Sequence, residues 1–341
     1  MLRTAIVGLG SWGRILVASV QGKSKDLRFT AGYTRTRHKA EEFCRDQGIR
    51  LSGSFGEIVE DPVIDAVVLA TPNSQHEDQI RRAAGAGKHV FVEKPFTLNS
   101  ASARAAIRAA AEAGVVLAVG FNRRFHPSMR ELRNRVKAGR LGVVGSIIAE
   151  LTATAAFYRS SESWRLNREE EPAGAMAGIG VHLVDSMIDV IGRIREVYCV
   201  TEHRAGPHGD DTTSLLLRFE NGVTGLAFCS LAAARNYRLA VYGSKGFAEV
   251  LTPAMDTFRF IPAADGSASH LAGIPEPEII ESPGFNSITE ELTQFARCIR
   301  DGQSYPIPLE DIFHGVCVFE AAVESAETKR PALISTAFLR S

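Results

Sequence analysis

Two side chains of types that serve in acid–base chemistry stand out in the sequence. Lys94 lies in "VEKPF" (92–96), at the end of an apolar run, and His182 interrupts the small apolar stretch "AGAMAGIGVHLVD" (173–185). A lysine ammonium can bind and polarise a substrate hydroxyl, and a neutral imidazole can exchange a proton near pH 7. A histidine in an apolar segment is also commonly a packed core residue. The stretch around His182 alone leaves both interpretations open.

A glycine motif near the amino end predicts a dinucleotide site. "GLGSWG" (8–13) closes an apolar run and opens a helix, which is the context that the G-x-G-x-x-G fingerprint requires. Gly8 permits the tight turn, Gly10 lets the backbone approach a pyrophosphate, and Gly13 allows close helix–strand packing. Together with Trp12 these residues form the predicted phosphate loop, where the helix amino terminus faces the phosphates.

The end of the second predicted strand indicates which dinucleotide is preferred. An NAD protein commonly has a carboxylate there for the ribose 2′-hydroxyl, but "YTRTRHK" (33–39) contains none. Thr34 beside Arg35 suits a 2′-phosphate, which a guanidinium holds by charge-assisted hydrogen bonds. We therefore expect a preference for NADP, with NAD possible. The alternative is a solvated basic loop.

Residues 1–122 alternate short apolar runs with helical segments. Strands are expected at 4–10, 29–34, 65–72, 89–95 and 115–121, and helices at 38–48, 73–87 and 99–114. This alternation predicts an α/β fold with a doubly wound parallel sheet of the Rossmann type. Such sheets bind ligands at the carboxyl ends of their strands. The residues expected at that edge, on the cofactor side, are Thr71, Pro72, Asn73, His76, Glu93 and Lys94.

Lys94 and His76 are expected to differ in role at this edge. Near an oxidised nicotinamide and partly desolvated, the Lys94 ammonium would have a lowered pKa, which suits it to polarise a hydroxyl. His76 is a residue of the turn into a helix rather than a catalyst.

Residues 123–341 have a different texture, and we assign them to a second α/β domain. A helix opens near Pro127, and longer alternating segments follow at 145–157, 195–204, 212–232, 236–251 and 256–262. "ENG" (220–222) and "GSKG" (243–246) are predicted hairpin turns. Helices are expected at 287–301 and 309–328. The pattern predicts an antiparallel sheet with one covered face.

The composition excludes several classes of partner. Lys+Arg and Asp+Glu both number 39, so nothing draws the chain to nucleic acid or to an anionic membrane. No apolar stretch approaches the roughly 18 residues of a membrane span, and the first residues do not resemble a signal peptide. The 5 cysteines are scattered and show no metal-ligand spacing. We expect a cytoplasmic protein without a metal site.

Several motifs together resemble the Gfo/Idh/MocA oxidoreductases, named for glucose–fructose oxidoreductase and inositol dehydrogenase. The resemblance extends over nearly the whole chain and implies a Rossmann domain followed by an α/β domain with a large, open, mostly antiparallel sheet. It implies hydride transfer between a nicotinamide and a hydroxyl-bearing carbon of a sugar, cyclitol or related polyol. It also implies a homodimer or homotetramer formed through that sheet. Beside the glycine motif, the resembling segments are "ATPNSQH" (70–76), "VEKPF" (92–96), "GFNRRFHP" (120–127), "WR" (164–165), "GIGVHLVD" (178–185), "RLAVYGSKG" (238–246) and 308–331.

The resemblance assigns roles to residues of this chain. His182 matches the catalytic histidine, which exchanges the hydroxyl proton during hydride transfer. Trp164 and Arg165 resemble the segment that lines the substrate pocket, and Asn122 and Arg123 are placed to reach it as well. For these last four residues, a structural role is an equal alternative.

The chain departs from the family pattern at Gly178. The usual pattern is Gly-Gly, three residues, Asp, three residues, His, and four places before His182 this chain has Gly178. Three accounts follow. His182 works without that carboxylate, on a substrate whose own polar group fills the space. Asp185, an i, i+3 neighbour if the segment is helical, takes the role. Or catalysis is lost, and the protein is a dinucleotide- and sugar-binding sensor.

Overall fold

The computed structural model describes residues 1–207, 209–263 and 275–335. They form two compact units. Among the described residues, unit 1 contains Met1–Asn122 and Asn286–Val316, and unit 2 contains Arg123–Phe285 and residues 317–335. The change in sequence pattern after residue 122 predicts that all of 123–341 belongs to the second domain. The grouping differs at Asn286–Val316 because a helix in that segment packs against the first sheet and one of its helices.

Unit 1 is built on a parallel sheet whose strand order is β3-β2-β1-β4-β5-β6. This order places a topological switch point between β1 and β4, and it is that of the doubly wound dinucleotide-binding fold. The predicted Rossmann architecture is confirmed. The strands are β1 (Leu2–Val7), β2 (Leu27–Tyr33), β3 (Arg50–Leu51), β4 (Ala66–Leu69), β5 (His89–Val92) and β6 (Leu117–Val119).

The helices of unit 1 begin where local signals allow. Asn99 caps α5 by accepting a 2.9 Å hydrogen bond from Ser102 N, as the Asn/Ser start of that segment predicts. Asn286 caps α8 in the same way, by accepting from Ile288 N and Thr289 N. The helices are α1 (Ser11–Val20), α2 (Glu41–Asp46), α3 (Phe55–Glu60), α4 (His76–Gly85), α5 (Ser100–Glu112) and α8 (Ser287–Asp301). α9 (Leu309–Thr328) begins in unit 1 and continues into unit 2.

Unit 2 is built on a nine-stranded sheet in the order β14-β13-β12-β11-β7-β10-β9-β8-β15. Neighbouring strands are antiparallel except β7 and β10. The mostly antiparallel sheet and both predicted hairpins are confirmed. The strands are β7 (Val144–Thr152), β8 (Ile194–Glu202), β9 (Thr212–Phe219), β10 (Thr224–Ser230), β11 (Asn236–Gly243), β12 (Gly246–Leu251), β13 (Thr257–Pro262), β14 (Glu278–Glu281) and β15 (Ala332–Leu333).

One face of this sheet is covered by helices of unit 2. α6 (Pro127–Lys137) packs on β12 and β13, and α7 (Val181–Ile191) packs on β7. α7 is preceded by a π-helical turn, Met176–Gly180, so the stretch that holds His182 is helical. Along β9, buried and exposed residues alternate strictly, as a sheet with one covered face requires. Within the described residues, no helix has both the length and the apolar character needed to cross a membrane.

Candidate active site

The three motif glycines of unit 1 occupy three different environments. Gly8 follows β1 with φ of +96°, and a Cβ there would lie 2.4 Å from Ala70 O. At Gly13 a Cβ would lie 1.9 Å from Gly8 O, so only glycine allows the close approach of α1 to β1. At Gly10 an added Cβ meets nothing within 4 Å. The backbone therefore closes tightly around an open cradle at Gly10, which caps the amino terminus of α1.

This cradle fits the pyrophosphate of a dinucleotide. The first-turn N–H groups of α1 point out of the helix start, and the first turn carries no acidic side chain that would repel an anion. A Cβ at Gly10 would occupy the space through which phosphate oxygens approach these donors. Trp12, in the same turn, is half-buried.

Lys94 lies at the carboxyl edge of the same sheet, directly after β5. It is half-buried, and the peptide bond to Pro95 is cis. After the neighbouring strand β4 come Thr71, Pro72 and Asn73, of which Thr71 Oγ1 donates a 2.6 Å hydrogen bond to Gln79 Oε1. The residues predicted after β4 and β5 therefore share the edge where this fold binds ligands.

His76 and Glu93 are buried in the same region rather than exposed at the edge. His76 has no exposed surface, and its Nδ1 lies 3.0 Å from Pro95 O and 3.1 Å from Phe96 O. Its Nε2 lies 3.2 Å from Thr71 O. The ring thus connects the turn after β4 to the segment after Lys94. The ring therefore lies against backbone carbonyls beneath the edge, and a direct contact of His76 with the cofactor stays a prediction.

Glu93 and Glu291 form a buried carboxyl pair that the sequence analysis missed. Glu291, on α8, has no exposed surface, and burial together with the nearby Glu93 raises its pKa well above the usual value. Neither Glu291 oxygen has a hydrogen-bond partner among the described residues. Because two carboxylates cannot both ionise cheaply in such a place, burial and the neighbouring Glu93 favour the neutral form of Glu291. No local pattern signals this pair, since 198 positions separate the two residues in the sequence.

Thr34 and Arg35 directly follow β2, next to β1 in the sheet. Thr34 is half-buried and Arg35 is exposed. Arg14, on α1, stacks over the Phe43 ring at 5.2 Å and donates a hydrogen bond to Lys39 O, so the segment after Arg35 is fastened to the first helix. The basic loop therefore begins at the edge that carries the glycine cradle.

His182, in unit 2, lies in the first turn of α7 and is buried. One turn further, Asp185 forms a buried ion pair with Arg124, whose Nη2 lies 2.7 Å from Asp185 Oδ1. Arg124 Nη1 also lies 3.3 Å from Asp189 Oδ1. The carboxylate of Asp185 is thus committed to Arg124, which argues against the account in which Asp185 replaces the carboxylate absent at 178.

The other predicted substrate residues have protein partners as well. Asn122, at the end of unit 1, donates a 2.8 Å hydrogen bond from Nδ2 to Ser287 Oγ. Arg123, which begins unit 2, stacks over the Tyr237 ring at 5.0 Å. Each of these contacts fits the structural alternative.

Trp164 and Arg165 belong to a cluster that includes two residues missed from the sequence. The Arg165 guanidinium lies 4.2 Å from the Trp164 ring centroid and pairs with Glu171 Oε1 at 2.5 Å. Glu171 Oε2 pairs with Arg159 Nη2 at 2.7 Å. The Glu171 side chain is only 3% exposed, and a cavity of about 180 Å³ opens beside the cluster. Glu171 ends a run of three glutamates in "REEE" (168–171), and nothing in that run distinguishes it from its neighbours.

The fold and the glycine cradle of unit 1, with a lysine at the same sheet edge, define a dinucleotide-dependent oxidoreductase. Residues 2–121 match the model of an oxidoreductase family with an NAD-binding Rossmann fold, and residues 129–249 match the GFO/IDH/MocA C-terminal domain. The chain belongs to the Gfo/Idh/MocA oxidoreductase family, as the motifs predicted.

Curated and structurally solved relatives span nearly the whole chain. It is 29% identical to scyllo-inositol 2-dehydrogenase (NAD(+)) of Bacillus subtilis over 318 residues, which is 89% of this chain and 87% of the relative. It is 25% identical to trans-1,2-dihydrobenzene-1,2-diol dehydrogenase of Bos taurus, covering 81% of this chain and 82% of the relative. The structure of aldose-aldose oxidoreductase from Caulobacter crescentus, complexed with glycerol, superposes with a TM-score of 0.83 at 26% identity, covering 97% and 99% of the two chains.

Proposed function

We propose that the protein transfers a hydride between a nicotinamide and a hydroxyl-bearing carbon of a sugar, cyclitol or related polyol. The observation that carries this proposal is the shared edge of the parallel sheet, where the open cradle at Gly10 and the half-buried Lys94 both lie. The named activities of the relatives, on an inositol, a dihydrodiol and an aldose, support this substrate class.

The dinucleotide supplies or accepts the hydride when it is bound. The cradle at Gly10 and the start of α1 would hold its pyrophosphate, and Thr71, Pro72 and Asn73 would hold its nicotinamide ribose. The Lys94 ammonium binds the substrate oxygen and stabilises negative charge that develops on it. The His182 imidazole takes the hydroxyl proton in oxidation and returns it in reduction. Lys94 and His182 are the two proposed catalytic residues.

NADP is the proposed preferred dinucleotide, with NAD also accepted. Support comes from the exposed Arg35 and the half-buried Thr34 after β2, together with the lack of a carboxylate in 33–39. An exposed guanidinium at this strand end holds a 2′-phosphate by charge-assisted hydrogen bonds.

We further propose a homodimer or homotetramer in the cytoplasm, formed through the uncovered face of the nine-stranded sheet. Tyr198 lies opposite Leu216 in the β8–β9 pair, and Leu216 lies opposite Leu226 in the β9–β10 pair. Together with Phe228 they form a row of apolar side chains that are 36–49% exposed. Such a contiguous apolar face favours a partner surface, and a second copy supplies one of matching character.

A substrate panel tests the proposed activity. Purified protein is assayed with sugars, cyclitols and related polyols, with NAD⁺ and with NADP⁺, by the absorbance of the reduced nicotinamide. Turnover is expected with at least one compound, and Lys94→Ala is expected to abolish it, while Lys25→Ala, which removes an exposed lysine of the same unit, is not. Binding of dinucleotide and polyol without turnover across the panel would favour the sensor alternative.

A further inference from the structure

The space beside Gly178 is occupied by a carboxylate from another part of unit 2. A Cβ built at Gly178 lies 3.7 Å from Glu171 Oε2, 3.7 Å from Arg159 Nη2 and 3.5 Å from Leu231 Cδ1, which are ordinary contact distances. A short side chain at 178 would therefore point at Glu171. Because Gly178 has no side chain, the Glu171 carboxylate lies next to the space that a side chain at position 178 would occupy.

Both oxygens of the Glu171 side chain are paired with arginines. Arg159 pairs with one oxygen and Arg165 with the other, and the side chain is almost completely removed from solvent. A buried carboxylate costs several kcal/mol to desolvate unless it is paired. The two arginines offset this cost and fix the carboxylate next to a helix glycine, on the wall of a cavity, which is an arrangement suited to positioning a neighbouring group.

Gly178 and His182 face nearly the same side of the helix. They are four residues apart across the junction of the π-helical turn and α7, which is about one helical turn. The carboxylate that approaches Gly178 therefore lies on the side of the helix that carries the imidazole. Among the described residues, the charged or titratable groups near this junction include Arg159, Arg165, the Arg124–Asp185 pair with Arg123 and Tyr237 beside it, and the Cys229 thiol, whose pKa burial raises to about 12.

We propose that Glu171 supplies the carboxylate that Gly178 lacks and acts as a positioning residue for His182. This inference rests on the proposed function for its catalytic consequence. The Glu171 charge stabilises the imidazolium form of His182, while Arg159 and Arg165 fix the carboxylate in place. In this proposal the carboxylate comes from the loop that precedes the helix and not from position 178.

The test compares Glu171→Gln with the relocated pair Glu171→Ala/Gly178→Asp. The His182 pKa is measured by NMR on labelled histidine, with His182→Gln assigning its signal among the nine histidines. Because loss of a nearby negative charge disfavours imidazolium, Glu171→Gln is expected to lower this pKa by about 0.5 or more. The relocated pair is expected to restore it. Glu169→Gln, which changes an exposed glutamate of the same loop, is the matched control and is expected to leave the pKa unchanged.

Kinetics with the substrate found in the panel give the second measurement. Glu171→Gln is expected to lower kcat by roughly 10- to 100-fold with a smaller change in KM, and to move the His182 limb of the pH profile to lower pH. The relocated pair recovers at least part of kcat. An unchanged His182 pKa in folded Glu171→Gln overturns the inference. Absence of turnover in the parent protein overturns the proposed function instead, because the NMR comparison does not depend on it.

Discussion

Arg124 and Asp185 form a bidentate ion pair inside unit 2, with Arg124 Nε donating to Asp185 Oδ2 at 3.1 Å and Nη2 donating to Oδ1 at 2.7 Å. Both side chains are only 5% exposed. The pair ties the segment before α6 to α7, one turn beyond His182. Its value to the fold comes from the neutralisation of two buried charges, to which Asp189 Oδ1 also contributes at 3.3 Å from Arg124 Nη1.

Removing one member of this pair is expected to destabilise the protein strongly. Asp185→Asn leaves the Arg124 guanidinium buried with a weakened partner, and we expect the free energy of unfolding to fall by about 3–5 kcal/mol. Urea denaturation of the whole protein measures this free energy. Asp78→Asn, which breaks an exposed i, i+4 pair with Arg82, is the control and should change stability little. A small effect at Asp185 would mean that Arg124 finds other neutralisation.

The partner of Asp185 could not be predicted from the sequence. The strands, helices and hairpins around the site follow from periodicity and from glycine, proline and asparagine signals, all of which are local. Asp185 was considered as the missing carboxylate because it is three residues from His182, but its partner lies 61 positions away. Glu171 and Glu291 were missed for the same reason. Tertiary packing decides which buried charges pair with each other, and the spacing of residues in the sequence does not reveal these pairs.

Short elements were missed for a different physical reason. β3 and β15 have two residues each, and β14 is four residues long with every side chain exposed, so no hydrophobic alternation marks them. They exist because a neighbouring strand offers unpaired backbone groups. The assignment of 286–316 to the second domain failed similarly: α8 is amphipathic, but its sequence does not say which sheet covers its apolar side.

Glu291 predicts a pH dependence of stability. Its folded-state pKa lies well above the ordinary value of 4.5, so above that pH the unfolded chain releases a proton that the folded protein keeps. The unfolding free energy is therefore expected to fall as pH rises from about 4.5 through the folded-state pKa. Urea unfolding at pH 5 and at pH 8 measures this fall in the unfolding free energy.

Glu291→Gln isolates this contribution. The amide needs no proton, so the variant should lose less stability than the parent between pH 5 and pH 8 and should be the more stable of the two at pH 8. Glu290→Gln alters the adjacent position on α8 and serves as the control, with the parent's pH dependence retained. Identical pH dependence in Glu291→Gln and the parent would show that Glu291 ionises normally.

The two glycines at the start of α1 should separate folding from cofactor binding. Gly10→Ala adds a Cβ where nothing lies within 4 Å, so the fold should tolerate it while the pyrophosphate loses its approach. We expect the thermal midpoint to change little and dinucleotide affinity to drop at least about 10-fold. Gly13→Ala places a Cβ 1.9 Å from Gly8 O and should destabilise the unit itself. Calorimetric titration and thermal unfolding of both variants check this, and unchanged affinity in Gly10→Ala would contradict the cradle.

The Arg35 side chain should set the choice of dinucleotide. Arg35→Ser removes the guanidinium at the end of β2, so the affinity for NADP⁺ is expected to fall by about 10-fold, while that for NAD⁺ changes little. Arg45→Ser removes an exposed charge on α2 and controls for net charge. Titrating each variant with both dinucleotides gives the ratio directly. Tighter binding of NAD⁺ than NADP⁺ by the parent protein would refute the preference.

A charge on the uncovered sheet face should dissociate the proposed oligomer. Leu226 is 48% exposed and central in the row that runs from Tyr198 through Leu216, so Leu226→Lys would place an ammonium against its own copy in a two-fold interface. We expect the parent to have the mass of a dimer or tetramer by light scattering and Leu226→Lys to shift toward the monomer. Ile15→Lys, at a 45% exposed position on α1, is the matched control and should keep the parent's mass. A monomeric parent protein would refute the interface, whereas an oligomer insensitive to Leu226→Lys would assign it to another surface.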